Sequence, residues 1–338
     1  MKALHSYSVG VLLATSLAAG WTAARVEAQA VPNTVNAHVA AAKAAAGREH
    51  TAVFNNLCAE PTSAPAVQQT QAQPPAGAQG PPPRAQWHAE PAKVFDNLYY
   101  LGQSEYSAWA VTTSEGIIVI DTLFDYSVED EIVNGLTTLG LDPKQIKYVI
   151  VSHGHSDHAG GAKLLQDRFG ARVLMSAADW DLIARNTQPW PKPRRDIVVV
   201  DGQKLTLGDT TLTMYSTPGH TPGTISTIIP VKDQGRPHTV AEWGGLGFNF
   251  TITPDKPRAY WFDTYGKSAD HFRDVVTRSG ADAIIANHPN QDNAKVKLAA
   301  LAKRKPGDPN PYVIGNASVT GYVTMVGECA KAGLLRLK

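Results

Sequence analysis

Short apolar runs alternate with stretches of helical spacing along most of the chain, and that alternation predicts a layered α/β body. β-Rich runs over residues 98–102, 107–113 and 117–121 are broken by turn residues, and Ser114-Glu115-Gly116 makes a tight reversal between the last two. Residues 128–139 set Val128, Ile132, Val133, Leu136 and Leu139 at helical spacing and stop at Gly140. The apolar run 148–151 reads as a buried strand, followed by a helix over 159–169, a strand over 172–175 and a helix over 177–185. The second half repeats the scheme with strands over 197–200, 210–215 and 225–229, a helix over 268–279 and a strand over 283–286. Two such halves predict two sheets packed face to face with helices outside, a four-layer αββα sandwich.

Before residue 87 the pattern is different. Residues 1–30 begin with Lys2, run through the apolar stretch 9–19 and close on Ala28-Gln29-Ala30, which predicts a secretory signal cleaved after Ala30 and a periplasmic or secreted product. That apolar stretch is about half the roughly 20 residues a membrane span needs, and no other is long enough, so no span is expected once the signal is removed. Residues 31–60 form an Ala-rich N-terminal segment, helical over 34–57. Residues 61–86, rich in Pro, Gln, Ala and Gly, are expected to be a flexible linker leading to the main body over 87–338.

Composition narrows the function. In a chain of 338 residues that is 43% hydrophobic there is material for a sizeable core, which excludes disorder throughout. Lys plus Arg total 31 against 30 for Asp plus Glu, so a net charge of +1 offers no field to gather nucleic acid or an anionic membrane. A small molecule is the expected partner; the oligomeric state has no sequence signal. The two cysteines are too few for a Cys-rich zinc module, so any metal falls to histidine and carboxylate. In an oxidising compartment Cys58 and Cys329 can pair and tie the N-terminal segment back to the body; two unpaired buried thiols are the alternative.

The chemistry is concentrated in residues 152–161, SHGHSDHAGG, which place His153, His155, Asp157 and His158 in one turn after the strand at 148–151. Imidazole nitrogens and a carboxylate oxygen suit zinc, and a loop at a strand end turns alternating residues into one cleft. Two more histidines follow predicted strands, His220 within STPGHTPG and His288 within ANHP, each framed by residues that fix a tight loop. The remaining histidines, His5, His38, His50, His88, His238 and His271, have no ligand context and are expected to be surface or structural.

The set HxHxDH, then a TPGHTPG histidine, then a histidine after the last core strand resembles the signature of the metallo-β-lactamase superfamily, and over residues 87–289 the chain looks most like its subclass B3. The resemblance implies two Zn2+ ions, one taking His153, His155 and His220 and the other Asp157, His158 and His288. It further implies that zinc-activated water attacks a carbonyl while Asp157, as the catalytic carboxylate, orients the nucleophile and relays its proton. Many members of the superfamily carry a bridging Asp between the second and third ligand blocks. The matching segment here, TVAEWGG over 239–245, has Trp243 at that position, with Glu242 one place earlier and Asp263 further on as alternatives. Where B3 enzymes have serines that contact the drug carboxylate, this chain has Gly244 and Gly245.

Aromatic residues on predicted loops, Tyr106, Trp109, Phe124, Tyr126, Trp190, Trp243 and Phe248, are candidates for the cleft wall, with Trp190 and Trp243 the first choices for substrate contact. The expectation is a zinc hydrolase opening a β-lactam ring. A lactonase or other small-molecule ester or amide hydrolase is the alternative, and a non-catalytic zinc-stabilised extracytoplasmic binding protein a third possibility.

Overall fold

In the computed structural model, which describes residue 1, residues 32–58 and residues 80–338, the alternation becomes two sheets between two helical layers. The expected leader after Met1 and the linker up to residue 79 lie outside the described residues.

The N-terminal segment forms two helices, α1 (Val35–Ala46) and α2 (Thr51–Leu57), where one was expected. The break falls at Gly47, whose φ of 55° ends α1 in a conformation that costs glycine little. The first sheet follows: β1 (Ala92–Lys93), β2 (Leu98–Tyr100), β3 (Trp109–Thr113), β4 (Gly116–Ile120), β5 (Ile146–Ile150), β6 (Arg172–Ser176) and β7 (Ile197–Val199), paired in chain order. β1 to β4 pair antiparallel. From β4 onward the pairs are parallel, as crossovers through helices require: α3 (Asn134–Thr138), α4 (Ser156–Ala159), α5 (Ala162–Phe169) and α6 (Ala177–Arg185).

The second sheet holds β8 (Gln203–Leu207), β9 (Thr210–Ser216), β10 (Ile225–Asp233), β11 (Arg236–Trp243) and β12 (Ala283–Ala286), in the order β12-β11-β10-β9-β8. Its helices are α7 (Arg258–Ser279), α8 (Ala294–Leu301) and α9 (Asn316–Leu335). α7 starts ten residues before the expected boundary of 268, because Trp261, Tyr265, Ala269, Phe272 and Val276 keep a three-to-four-residue spacing back to Pro257.

Strand periodicity explains why four layers hold together. Along β4, Ile117 and Val119 enter the apolar layer beneath the first helices, while Ile118 and Ile120 enter the layer between the sheets. On the other sheet, Val240 and Ile285 face between the sheets, and Ala241 and Ile284 face α7 and α9. Each fully buried aliphatic side chain contributes about 1.5–3 kcal/mol, so both sheets are stabilised on both faces.

α1 and α2 lie on α9. Gly321 of α9 sits where an added Cβ would fall 2.5 Å from the Ala45 carbonyl oxygen, so the two backbones touch directly. Cys58, just past α2, is disulfide-bonded to Cys329 of α9 with a Cα–Cα distance of 5.0 Å. His38 and His50 prove to be buried structural residues: His38 Nδ1 pairs with Glu328 at 2.6 Å, and His50 Nε2 donates to Ser318 O at 3.1 Å. No described helix is long and apolar enough to cross a membrane.

Candidate metal centre

Four strand ends meet at one edge of the sandwich. Beyond β5 come His153, His155, Asp157 and His158; beyond β9, His220; beyond β12, His288; and beyond β4, Asp121. The structure gathers the six expected ligands into two adjacent groups, His153/His155/His220 and Asp157/His158/His288, with the ligand atoms of each group within 4.8 Å of one another. The groups touch: the His153 and His158 rings are 4.2 Å apart, and His158 Nε2 lies 3.2 Å from Asp157 Oδ2 and 3.3 Å from His288 Nε2.

Four of the five rings are oriented from behind. His153 Nδ1–H donates to Gly244 O at 2.8 Å, His220 Nδ1–H to Gly247 O at 3.3 Å, His288 Nδ1–H to Glu105 O at 2.9 Å and His158 Nδ1–H to Asp121 Oδ2 at 3.0 Å. Such partners fix the tautomer and leave Nε2 facing the centre. His153 Nε2 and Asp157 Oδ1 are buried with no hydrogen-bond partner, which is the condition of atoms awaiting a cation. Two such donor sets of imidazole and carboxylate fit two zinc ions.

Charge agrees with geometry. Burial lowers His153, assisted by His158, His220 and His155, and likewise lowers His155 and His220; it pushes His288 down to about 4. These rings are therefore neutral, the form that ligates. His158 goes the other way: burial lowers it, but Asp157 and Asp121 outweigh burial and push it up to about 10, and this imidazolium in turn holds Asp157 ionised well below the usual range against the effect of burial.

Beneath the two groups Asp121, Ser152, Asn287 and Glu242 form a polar hub, an assembly the sequence reading did not anticipate. Asp121 takes the left-handed conformation (φ 58°), which asparagine and aspartate tolerate better than most residues. Its carboxylate accepts from Ser152 N–H and Ser152 Oγ at 2.8 Å each, and from Asn287 Nδ2 at 2.6 Å. Asn287 also donates to Glu242 at 3.3 Å, and burial together with nearby Asp121 pushes Glu242 up to about 8.

Several expected residues fall elsewhere. Glu242 belongs to the hub and not to either ligand group, and Asp263 lies on the outside of α7 paired with Lys267 at 2.6 Å. Trp243 is 1% exposed, packed at a tilt against Tyr265 and Phe272 with its indole N–H on Gly245 O, so core packing removes it from the cleft wall. Trp190 is also buried, in the apolar layer with Trp180 and Ile183 under Lys192, and Trp109 lies between the sheets. The partly exposed rings beside the metal groups are Tyr106, 5.1 Å from His288, then Phe124 at 4.9 Å from Tyr106, then Tyr126 stacked on Phe124 at 5.0 Å.

Gly244 and Gly245 have a steric reason. An added Cβ would come 1.7 Å from Ile225 O at Gly244 and 2.9 Å from His220 Cβ at Gly245, so the loop that supplies the carbonyl to His153 passes where no side chain fits.

The model for the metallo-beta-lactamase superfamily matches residues 101–233, the stretch that supplies five of the six ligands. The chain carries a metallo-beta-lactamase superfamily domain. Among curated relatives of this superfamily domain, a hydroxyacylglutathione hydrolase of Acidiphilium cryptum is 37% identical over 85 residues, 25% of this chain and 31% of that protein. An N-acyl homoserine lactonase of a Bacillus species is 31% identical over 111 residues, 32% of this chain and 42% of its own length. The chain thus spans less than half the length of these two. Among solved structures, a subclass B3 metallo-beta-lactamase of Bradyrhizobium japonicum superposes with a TM-score of 0.61 at 28% identity, covering 71% of this chain and 91% of that one. The domain has the αββα sandwich expected from the sequence.

Proposed function

We propose that the protein is a zinc-dependent hydrolase acting outside the cytoplasm on a small molecule, and that its substrate is a β-lactam ring. The observation that carries this is the pair of adjoining ligand groups, His153/His155/His220 and Asp157/His158/His288, with buried donor atoms left unpaired between them. The likeness to a subclass B3 enzyme supports the choice of a cyclic amide, and the disulfide supports an oxidising compartment.

His153, His155 and His220 would hold one zinc and Asp157, His158 and His288 the other. Bound there, zinc supplies an activated water at neutral pH and polarises a carbonyl. The chain does the rest. Asp157 Oδ1, ionised and unpaired, can accept the proton of an attacking water and orient it toward the carbonyl carbon. Tyr106, Phe124 and Tyr126 offer an apolar wall on which the substrate's ring or acyl group stacks. Gly244 and Gly245 offer no side chain to a substrate carboxylate, which favours as second reading a lactone or other ester, the substrate class named for the Bacillus relative.

Hydrolysis of a penicillin, a cephalosporin, a carbapenem and a medium-chain acyl lactone by the zinc-loaded protein tests this. Ring opening of a β-lactam is expected, abolished by chelation and by Asp157→Asn. Turnover of the lactone alone would replace the first reading by the second.

A further inference from the structure

Asp179 lies in the first turn of α6, where Ser176 caps the helix by accepting the Asp179 N–H at 3.3 Å. An acid at this position commonly turns back on the cap. This one turns outward. Its Oδ2 accepts Gly154 N–H at 2.8 Å and Thr221 Oγ1–H at 2.7 Å, and its Oδ1 accepts Gly223 N–H at 2.8 Å. Gly154 stands between the ligands His153 and His155, and Thr221 follows the ligand His220.

Both loops are shaped to reach it. An added Cβ on Gly154 would lie 2.9 Å from Ile183 Cγ2 and 3.3 Å from Asp179 O, and one on Gly223 would lie 2.0 Å from Ser176 Oγ and 2.7 Å from Asp179 N. The two loops therefore press bare backbone onto the same helical turn. Asp179 is wholly buried, and among the described residues no salt bridge reaches it. A buried carboxylate without a cation is costly and persists where its hydrogen bonds hold something in place.

We propose that Asp179 is the positioning residue of the three-histidine site. One carboxylate fastens two ligand loops, 65 residues apart at His155 and His220, to a rigid helix end and so sets the spacing of the three imidazoles. The other group is anchored separately, through Asp121 behind His158 and Glu105 O behind His288, so loss of Asp179 acts on one site only. This rests on the reading that both groups hold zinc.

The test is zinc binding by the full chain in competition with a chromophoric chelator, repeated with cobalt(II), whose d–d absorption reports coordination. Asp179→Asn is compared with wild type and with His155→Ala, which removes a ligand of the three-histidine site alone. For Asp179→Asn, affinity for one ion is expected to fall about 10–100-fold while the other is unchanged. The cobalt spectrum of the ion it retains is expected to match that of His155→Ala. Thr221→Val, which removes one of the three donors, is expected to give the same change in smaller degree, and it decides the matter if Asp179→Asn does not fold. Wild-type affinities and spectrum, or equal weakening at both sites, would overturn the assignment. A wild-type protein that binds no zinc would remove the metal reading itself, and this role with it.

Discussion

His158 Nδ1–H donates to Asp121 Oδ2 at 3.0 Å, so the end of β4 holds in place a ligand 37 residues further along the chain. The same oxygen accepts from Asn287, the residue before His288, and through it Asp121 governs two of the three ligands of one group. Asp121→Ala is expected to weaken zinc binding at the Asp157/His158/His288 site by about 10–100-fold, measured by metal content after dialysis at limiting zinc. Unchanged stoichiometry would show that Ser152 and Asn287 hold the rings without it.

The six residues that the fold gathers into two groups were legible because each stands in a local motif: HxHxDH after an apolar strand, and tight glycine and proline loops around His220 and His288. Strands β4, β5, β6 and β12 and helix α6 were legible for a similar reason, since their apolar spacing is set by faces they bury. Asp121 and Asp179 stand in stretches that support the family resemblance, Ile118 to Asp121 and Ser176-Ala177-Ala178-Asp179, but their roles were not legible, because an acid at the end of a strand or in a first helical turn has an ordinary local reading. Its partners become neighbours only when loops distant in sequence converge. Trp243 and Trp190 misled in the opposite direction: beside glycine and proline they look like loop aromatics, but in the fold they fill the apolar layers.

Gly244→Ser places its Cβ on Ile225 O and displaces the carbonyl that orients His153. A loss of about 3 kcal/mol is expected, the upper end of overpacking costs, together with weaker zinc retention. Thermal melting with and without chelator reads both effects. A serine tolerated at wild-type stability would mean that the loop has room to move.

Core and cleft aromatics are expected to separate. Trp243→Ala removes a fully buried ring and is expected to cost about 3–5 kcal/mol in denaturant unfolding. Tyr106→Ala, at the partly exposed edge beside His288, is expected to cost less than about 1 kcal/mol while raising KM several-fold. A KM unchanged in Tyr106→Ala would take that ring out of substrate contact.

Glu328 on α9 is buried, which by itself raises its pKa, but hydrogen bonds from His38 of α1 and from Lys331 outweigh burial and hold it below its ordinary value. A depressed carboxyl contributes stability above its unfolded pKa and loses it as pH falls through the folded one. The packing of α1 on α9 is therefore expected to weaken on the acid side, below about pH 4.5. Hydrogen exchange of α1 amides against pH checks it, and Glu328→Gln should flatten the acid limb; an identical limb in that variant would place the acid sensitivity elsewhere.

Replacing Cys58 and Cys329 by serine is expected to lower unfolding free energy by about 2–4 kcal/mol, through the entropy regained by the unfolded chain. Denaturant unfolding with and without reductant measures it, and equal midpoints would mean that helix packing alone secures α1 and α2.

Because those two sulfurs are joined, every ligand from His153 to His288 lies within one closed covalent ring of backbone running from Cys58 to Cys329. A single proteolytic cut within residues 59–79 would open that ring without shedding any part of it. α1 and α2 would stay attached as a short light chain, and the enzyme would become a two-chain molecule that only a reductant can separate.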